Sequence, residues 1–127
     1  MSNEALLQAF PECDPGVLPL GSRVLVQVRT PEEKSKGGII LTHNDQETTF
    51  WNTTVAKVIS TGPLAFHSRN TQTLWPEGAW CKPGDYIRAP KYGGDRWKSG
   101  EAYFMLINDL DILGLVTVDP LSITAFI

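Results

Sequence analysis

The sequence predicts an all-β domain, folded as a small and partly open β-barrel. Three observations lead there. Short runs of alternating or continuous apolar residues recur along the chain, each closed by a turn signal. The 127 residues include 11 Gly and 9 Pro, which favours many turns over helical packing. No stretch supports a helix longer than a turn or two, and no internal repeat is visible.

Taken in order, residues 1–17 read as an N-terminal extension, with a short amphipathic helical turn before Pro11, Pro15 and Gly16. The domain proper spans residues 18–118. Arg23-Val24-Leu25-Val26-Gln27-Val28-Arg29 is the first strand, with Val24, Val26 and Val28 on one face and Gln27 and Arg29 on the other. Residues 31–52 form a long polar loop with one apolar cluster, Ile39-Ile40-Leu41, behind Gly37-Gly38. Loops this long inside a small domain are usually functional or disordered. This one is expected to be mobile.

Val55-Ala56-Lys57-Val58-Ile59 is the second strand, ended by Thr61-Gly62-Pro63. Residues 64–80 are irregular, with Phe66, Trp75 and Trp80 among polar neighbours, and Pro76-Glu77-Gly78 reads as a turn at a hairpin tip. Lys82-Pro83-Gly84-Asp85 is a strong turn that introduces Tyr86-Ile87-Arg88-Ala89. Residues 90–100 read as a loop. Strands follow over 103–107 and 112–118, and residues 119–127 form an apolar tail broken by Pro120.

Composition narrows the function. Hydrophobic residues make up 42% and charged residues 20%, as in a soluble globular protein. A net charge of -3 argues against a nucleic-acid partner, which usually needs a basic face. Cys13 and Cys81 have no ligand-type or redox spacing, so free thiols in a reducing compartment are expected. No secretory signal and no run of membrane length is visible, which points to the cytoplasm and away from a membrane. The acceptor-like triplet Asn52-Thr53-Thr54 is therefore read as chance.

Four segments, in order, resemble the GroES family of co-chaperonins. Pro19-Leu20-Gly21-Ser22-Arg23-Val24 is similar to its opening strand, and Lys34-Ser35-Lys36-Gly37-Gly38-Ile39-Ile40-Leu41 to its mobile loop. Lys82-Pro83-Gly84-Asp85-Tyr86-Ile87 resembles its Lys-hydrophobic-Gly-Asp strand opening, with Tyr92-Gly93-Gly94 near the family's Tyr-Gly pair. Asn108-Asp109-Leu110-Asp111-Ile112-Leu113-Gly114-Leu115-Val116 resembles its closing strand. Ser22 replaces the usual acidic residue, and the segments after Leu41 and between Gly62 and Lys82 are longer than in common bacterial members. Such divergence fits a virus-encoded member acting in a host cytoplasm.

The resemblance implies a seven-membered ring that caps a nucleotide-bound, GroEL-type chaperonin and encloses unfolded protein. It implies chaperonin contact through Gly37, Gly38, Ile39, Ile40 and Leu41, and a roof hairpin over residues 64–80. It also implies a subunit interface between the first strand, with Arg23, Val24, Val26 and Val28, and the last, with Ile112, Leu113, Leu115 and Val116. The alternative that both strands pair within one barrel stays open. A core strand remains the other reading of Ile39-Ile40-Leu41.

The energetics of such a loop are self-consistent. Burying three Ile or Leu side chains yields at most about 5–9 kcal/mol. Ordering five residues costs about 5–10 kcal/mol. One loop therefore binds weakly, and several on one ring bind by avidity.

Two other classes compete. An enzyme would use His43, His67 and Asp45, but they lack ligand spacing and a nucleophile motif, so neither catalysis nor a cofactor or metal is expected. Gly37-Gly38 lacks the Lys of a phosphate loop, and the chain is too short for a dinucleotide-binding domain beside a GroES-like one. A structural β-domain, such as a viral assembly component, would need no chaperonin.

Overall fold

The computed structural model describes residues 3–30, 54–68, 70–90 and 94–123. Its elements are α1 (Asn3–Ala9), β1 (Arg23–Val28), β2 (Val55–Thr61), β3 (Tyr86–Arg88), β4 (Asp95–Ser99), β5 (Ala102–Asn108), a 3-10 turn (Asp109–Asp111) and β6 (Gly114–Leu115). The strands form one antiparallel sheet in the order β4-β5-β1-β2-β3-β6. The sheet curls into a small barrel that is not closed, as the turn-rich sequence predicts.

One device for the curl is visible in the register. Leu25 faces Ser60 while Val26 faces Val58, so Ile59 is an extra residue on β2. A bulge of this kind bends a strand and raises its twist. The face inside the curl carries Val24, Val26, Val28, Val58, Ile87, Met105 and Ile107, all buried.

Two expectations change. The loop predicted over 90–100 contains β4, whose Trp97 stacks on Phe104 of β5 at 6.0 Å. Gly94 starts it at φ 72, and a Cβ there would lie 2.7 Å from the Leu106 oxygen and from Ile107 Cγ2. The strand predicted over 112–118 shrinks to Gly114–Leu115, because the 3-10 turn precedes it and Ile112 drops into the core.

The outer face of β1 is also covered. Leu25 and Gln27 are buried, although the alternation put Gln27 on an outward face. The cover is the chain's own N-terminal arm. Gln27 Nε2 donates to the Pro11 carbonyl at 2.6 Å. Farther along, Trp97 Nε1 donates to the Pro15 carbonyl at 2.9 Å, and Ser99 Oγ to that of Asp14 at 2.7 Å. The arm thus runs across β1 toward the β4–β5 hairpin. A strand covered on both faces buries consecutive residues, which is why β1 does not alternate.

Candidate functional site

Gly37, Gly38, Ile39, Ile40 and Leu41 lie outside the described residues, as do His43 and Asp45. The two points where their segment joins the barrel are described. On one side, Arg29 N–H donates to the Val55 carbonyl at 3.2 Å, and Thr30 N–H to the Ala9 carbonyl at 2.8 Å. On the other, the Thr54 carbonyl accepts from Ala89 N–H at 2.8 Å, and its hydroxyl accepts from Arg88 Nη2 at 2.9 Å. Val55 is fully buried among Ala9, Phe10, Leu6, Tyr86, Leu121 and Ile123. The long segment therefore leaves and returns at one firmly bonded point.

The expected subunit contacts divide. Val24, Val26 and Val28 are core residues, and β1 pairs with β5 on one side and β2 on the other. So β1 offers a neighbour no free backbone edge. Both terminal strands pair within the chain, β6 with β3 through Ile87 opposite Leu115. Ile112 is likewise buried. The outward residues are Arg23, Leu113 at 70% exposure and Leu115 at 50%, with Val116 partly buried. Beyond β3, β6 has no further strand beside it among the described residues. Sequence reasoning missed a second apolar patch just before β1, formed by Val17, Leu18 and Leu20, of which Leu18 is 75% exposed. Its signal was available: apolar residues beside Pro19, outside any strand pattern.

The described residues 64–68 and 70–80 fold back on one another. Ser68 N–H donates to Thr73 O at 2.7 Å, and His67 pairs with Leu74. The fold-back is therefore between 68 and 73, not at Pro76-Glu77-Gly78, which forms a separate turn closed by Gly78 N–H to Trp75 O at 2.8 Å. Phe66, Trp75 and Trp80 cluster at the base, with centroids of the two indoles 4.9 Å apart. Phe66 sits at φ 63, a costly region for a bulky residue. Its N–H is held there by the buried Asp109 carboxylate at 2.9 Å.

His67 makes a local contact, Nδ1 to the Ala65 carbonyl at 2.7 Å. Cys13 and Cys81 are unpaired, and burial, with Asp85 nearby, pushes the Cys81 thiol up to about 11. Among the described residues no cluster of His, Cys, Asp or Glu could hold a metal, and no helix is long and apolar enough to cross a membrane.

The described residues form a six-stranded open barrel with a long segment rooted at one point, a fold-back over residues 68–73 and an outer strand, β6, paired on one side. Comparison with known proteins gives it a family. Residues 16–116 match the family model described as chaperonin 10 Kd subunit. The chain is 34% identical to the co-chaperonin GroES of Limosilactobacillus reuteri (strain DSM 20016) over 98 residues, covering 77% of this chain and 96% of that protein. It is 29% identical to the co-chaperonin GroES of Staphylococcus haemolyticus (strain JCSC1435), again over 77% of this chain. The chain belongs to the chaperonin 10 family, and its function is that of a co-chaperonin.

Proposed function

We propose that this co-chaperonin assembles into a heptameric ring that caps a nucleotide-bound, GroEL-type chaperonin and closes its chamber over an unfolded protein. Contact runs through Gly37, Gly38, Ile39, Ile40 and Leu41, carried by the 31–52 segment. The observation that carries this reading is the single bonded root at Arg29, Thr30, Thr54 and Val55, from which the segment that holds the apolar cluster Ile39-Ile40-Leu41 departs. The relatives' printed function, co-chaperonin, supports the same partner class. No catalytic step is assigned to any residue, and the site of action is the cytoplasm.

The ring contact is proposed at the two exposed apolar patches instead of along β1. Leu113, Leu115 and Val118 flank the β6 edge, which has no further strand among the described residues, and Val17, Leu18 and Leu20 precede β1. Two different patches that meet head to tail generate a ring when the rotation closes. An apolar sheet edge is otherwise a template for aggregation.

The test is nucleotide-dependent capture by an immobilised chaperonin, compared with Ile40→Asp. A charge entering an apolar groove carries a large desolvation cost. The variant is expected to keep its ring and lose capture by about 100-fold or more, the order expected when a charge is buried without a partner. Equal capture of both proteins would move the contact away from residues 37–41.

A further inference from the structure

The family match stops short of both ends of the chain. Residues 1–15 and 117–127 lie outside it. The structure brings described parts of these two segments to one place. Ala9 and Phe10 from the arm and Leu121 and Ile123 from the tail pack around Val55, with Leu6 and Tyr86 completing the cluster. Phe10 is almost fully buried and meets the Tyr86 ring edge-on at 5.2 Å. Val55 is the second described residue after the 31–53 segment, and Thr30 is the last before it. The Thr30 N–H is bonded to the arm itself, at the Ala9 carbonyl. Gln27, three residues earlier, is bonded to the arm at Pro11.

We propose that the two terminal segments form a buttress for the root of the 31–53 segment, with Phe10 as its positioning residue. The buttress sets where the chaperonin-binding segment leaves the barrel, so the proposal rests on the reading of that segment given above. The physical argument is the length of the tether. Without the arm, Thr30 loses its backbone partner and Val55 loses most of its apolar cover. Freed root residues then lose their fixed positions, and each must be ordered again when the chaperonin binds. Affinity falls although no contact with the partner is removed. Placement also matters for avidity, because anchors on one ring bind together only when their geometry permits simultaneous engagement. The tail contributes by packing Leu121 and Ile123 on the same cluster, a few residues after β6.

The experiment uses the full chain with Phe10→Ala, and Phe10→Leu as the variant that restores apolar volume. Amide hydrogen exchange is read at Arg29 and Thr30, beside the root, and at Gly62, whose N–H donates to Arg23 O at 2.8 Å at the far end of β1. Phe10→Ala is expected to speed exchange at Thr30 by about tenfold or more with Gly62 within about twofold, as for a local opening. Phe10→Leu should recover most of the protection. With the ring intact by native mass spectrometry, Phe10→Ala should also weaken capture by the chaperonin about threefold or more, from the added ordering cost. Exchange that is unchanged at Thr30, or that rises equally at Gly62, overturns the buttress. So does unchanged capture by a ring whose root has loosened. If the unsubstituted protein is not captured at all, the chaperonin reading fails, and the exchange pattern alone then decides the buttress.

Discussion

The two edges of the sheet are finished in opposite ways. At β4 the outward residues Asp95 and Lys98 are charged, and Lys98 Nζ lies 5.3 Å from the centre of the Tyr103 ring. Trp97 and Ser99 are tied to the N-terminal arm by two hydrogen bonds. Charged residues and a covering segment are common means of blunting an edge. At β6 the strand has two residues, Leu113 and Leu115 point outward, and no strand lies beyond it among the described residues. The chain completes one edge itself, and the other is the one proposed above for the ring contact. This asymmetry suits head-to-tail assembly, in which each subunit supplies what its neighbour lacks.

The largest expected effect comes from breaking the open edge. Leu115→Asp places a charge in the proposed contact, and native mass spectrometry at micromolar concentration should show monomers instead of rings. Lys98→Gln, at the finished edge, should leave the ring mass unchanged. Rings that persist with Leu115→Asp, or that dissociate with Lys98→Gln, reverse the assignment of the two edges.

A smaller effect is expected at the start of β4. Gly94→Ala forces a Cβ within 2.7 Å of the Leu106 oxygen and a side chain into a positive-φ position. The strain should cost about 1–3 kcal/mol in denaturant unfolding. Unchanged stability would mean that β4 is not held against β5 as described. Smaller again is Trp97→Phe, which keeps the stack on Phe104 but removes the donor to Pro15. About 1 kcal/mol is expected, the usual net worth of such a bond. The change should be accompanied by faster proteolysis of the arm. An arm equally resistant in both proteins would show that the bond does not fasten it.

The two edges also show where sequence reasoning works. β1, β2, β3 and β5 were legible because each joins an apolar run to a sharp turn signal. Lys82-Pro83-Gly84-Asp85 before β3 is the clearest, with Gly84 at φ 98 and Asp85 Oδ2 accepting the Lys82 N–H at 3.0 Å. β4 was not legible, because Asp95-Arg96-Trp97-Lys98-Ser99 is polar in composition. Its inward side depends on Arg96, buried and bonded to the Pro90 carbonyl at 3.3 Å, which a hydrophobicity pattern cannot register. Burial holds that guanidinium below its ordinary value, to about 10.

The arm was read as an extension, and the amphipathic turn in it is α1. Leu6, Ala9 and Phe10 have i, i+3, i+4 spacing, but nothing in a seven-residue pattern tells what it packs against. That knowledge required seeing both faces of β1 buried. Of the site, the family was legible in the residues themselves, while the expected anchor at 37–41 lies outside the described residues. The occupied edges of β1 were not, since pairing partners depend on strand order, which a list of strands leaves open.

The central claim is that this protein is a ring-shaped chaperonin lid, and the most direct measurement is electron cryo-microscopy of a GroEL-type chaperonin mixed with it and ATP. The account predicts a closed ring above the chaperonin opening, neighbours joined at β6, and density reaching from Thr30 and Thr54 into the apical grooves. Uncapped chaperonin particles at saturating protein, beside free protein with no ring, would contradict it.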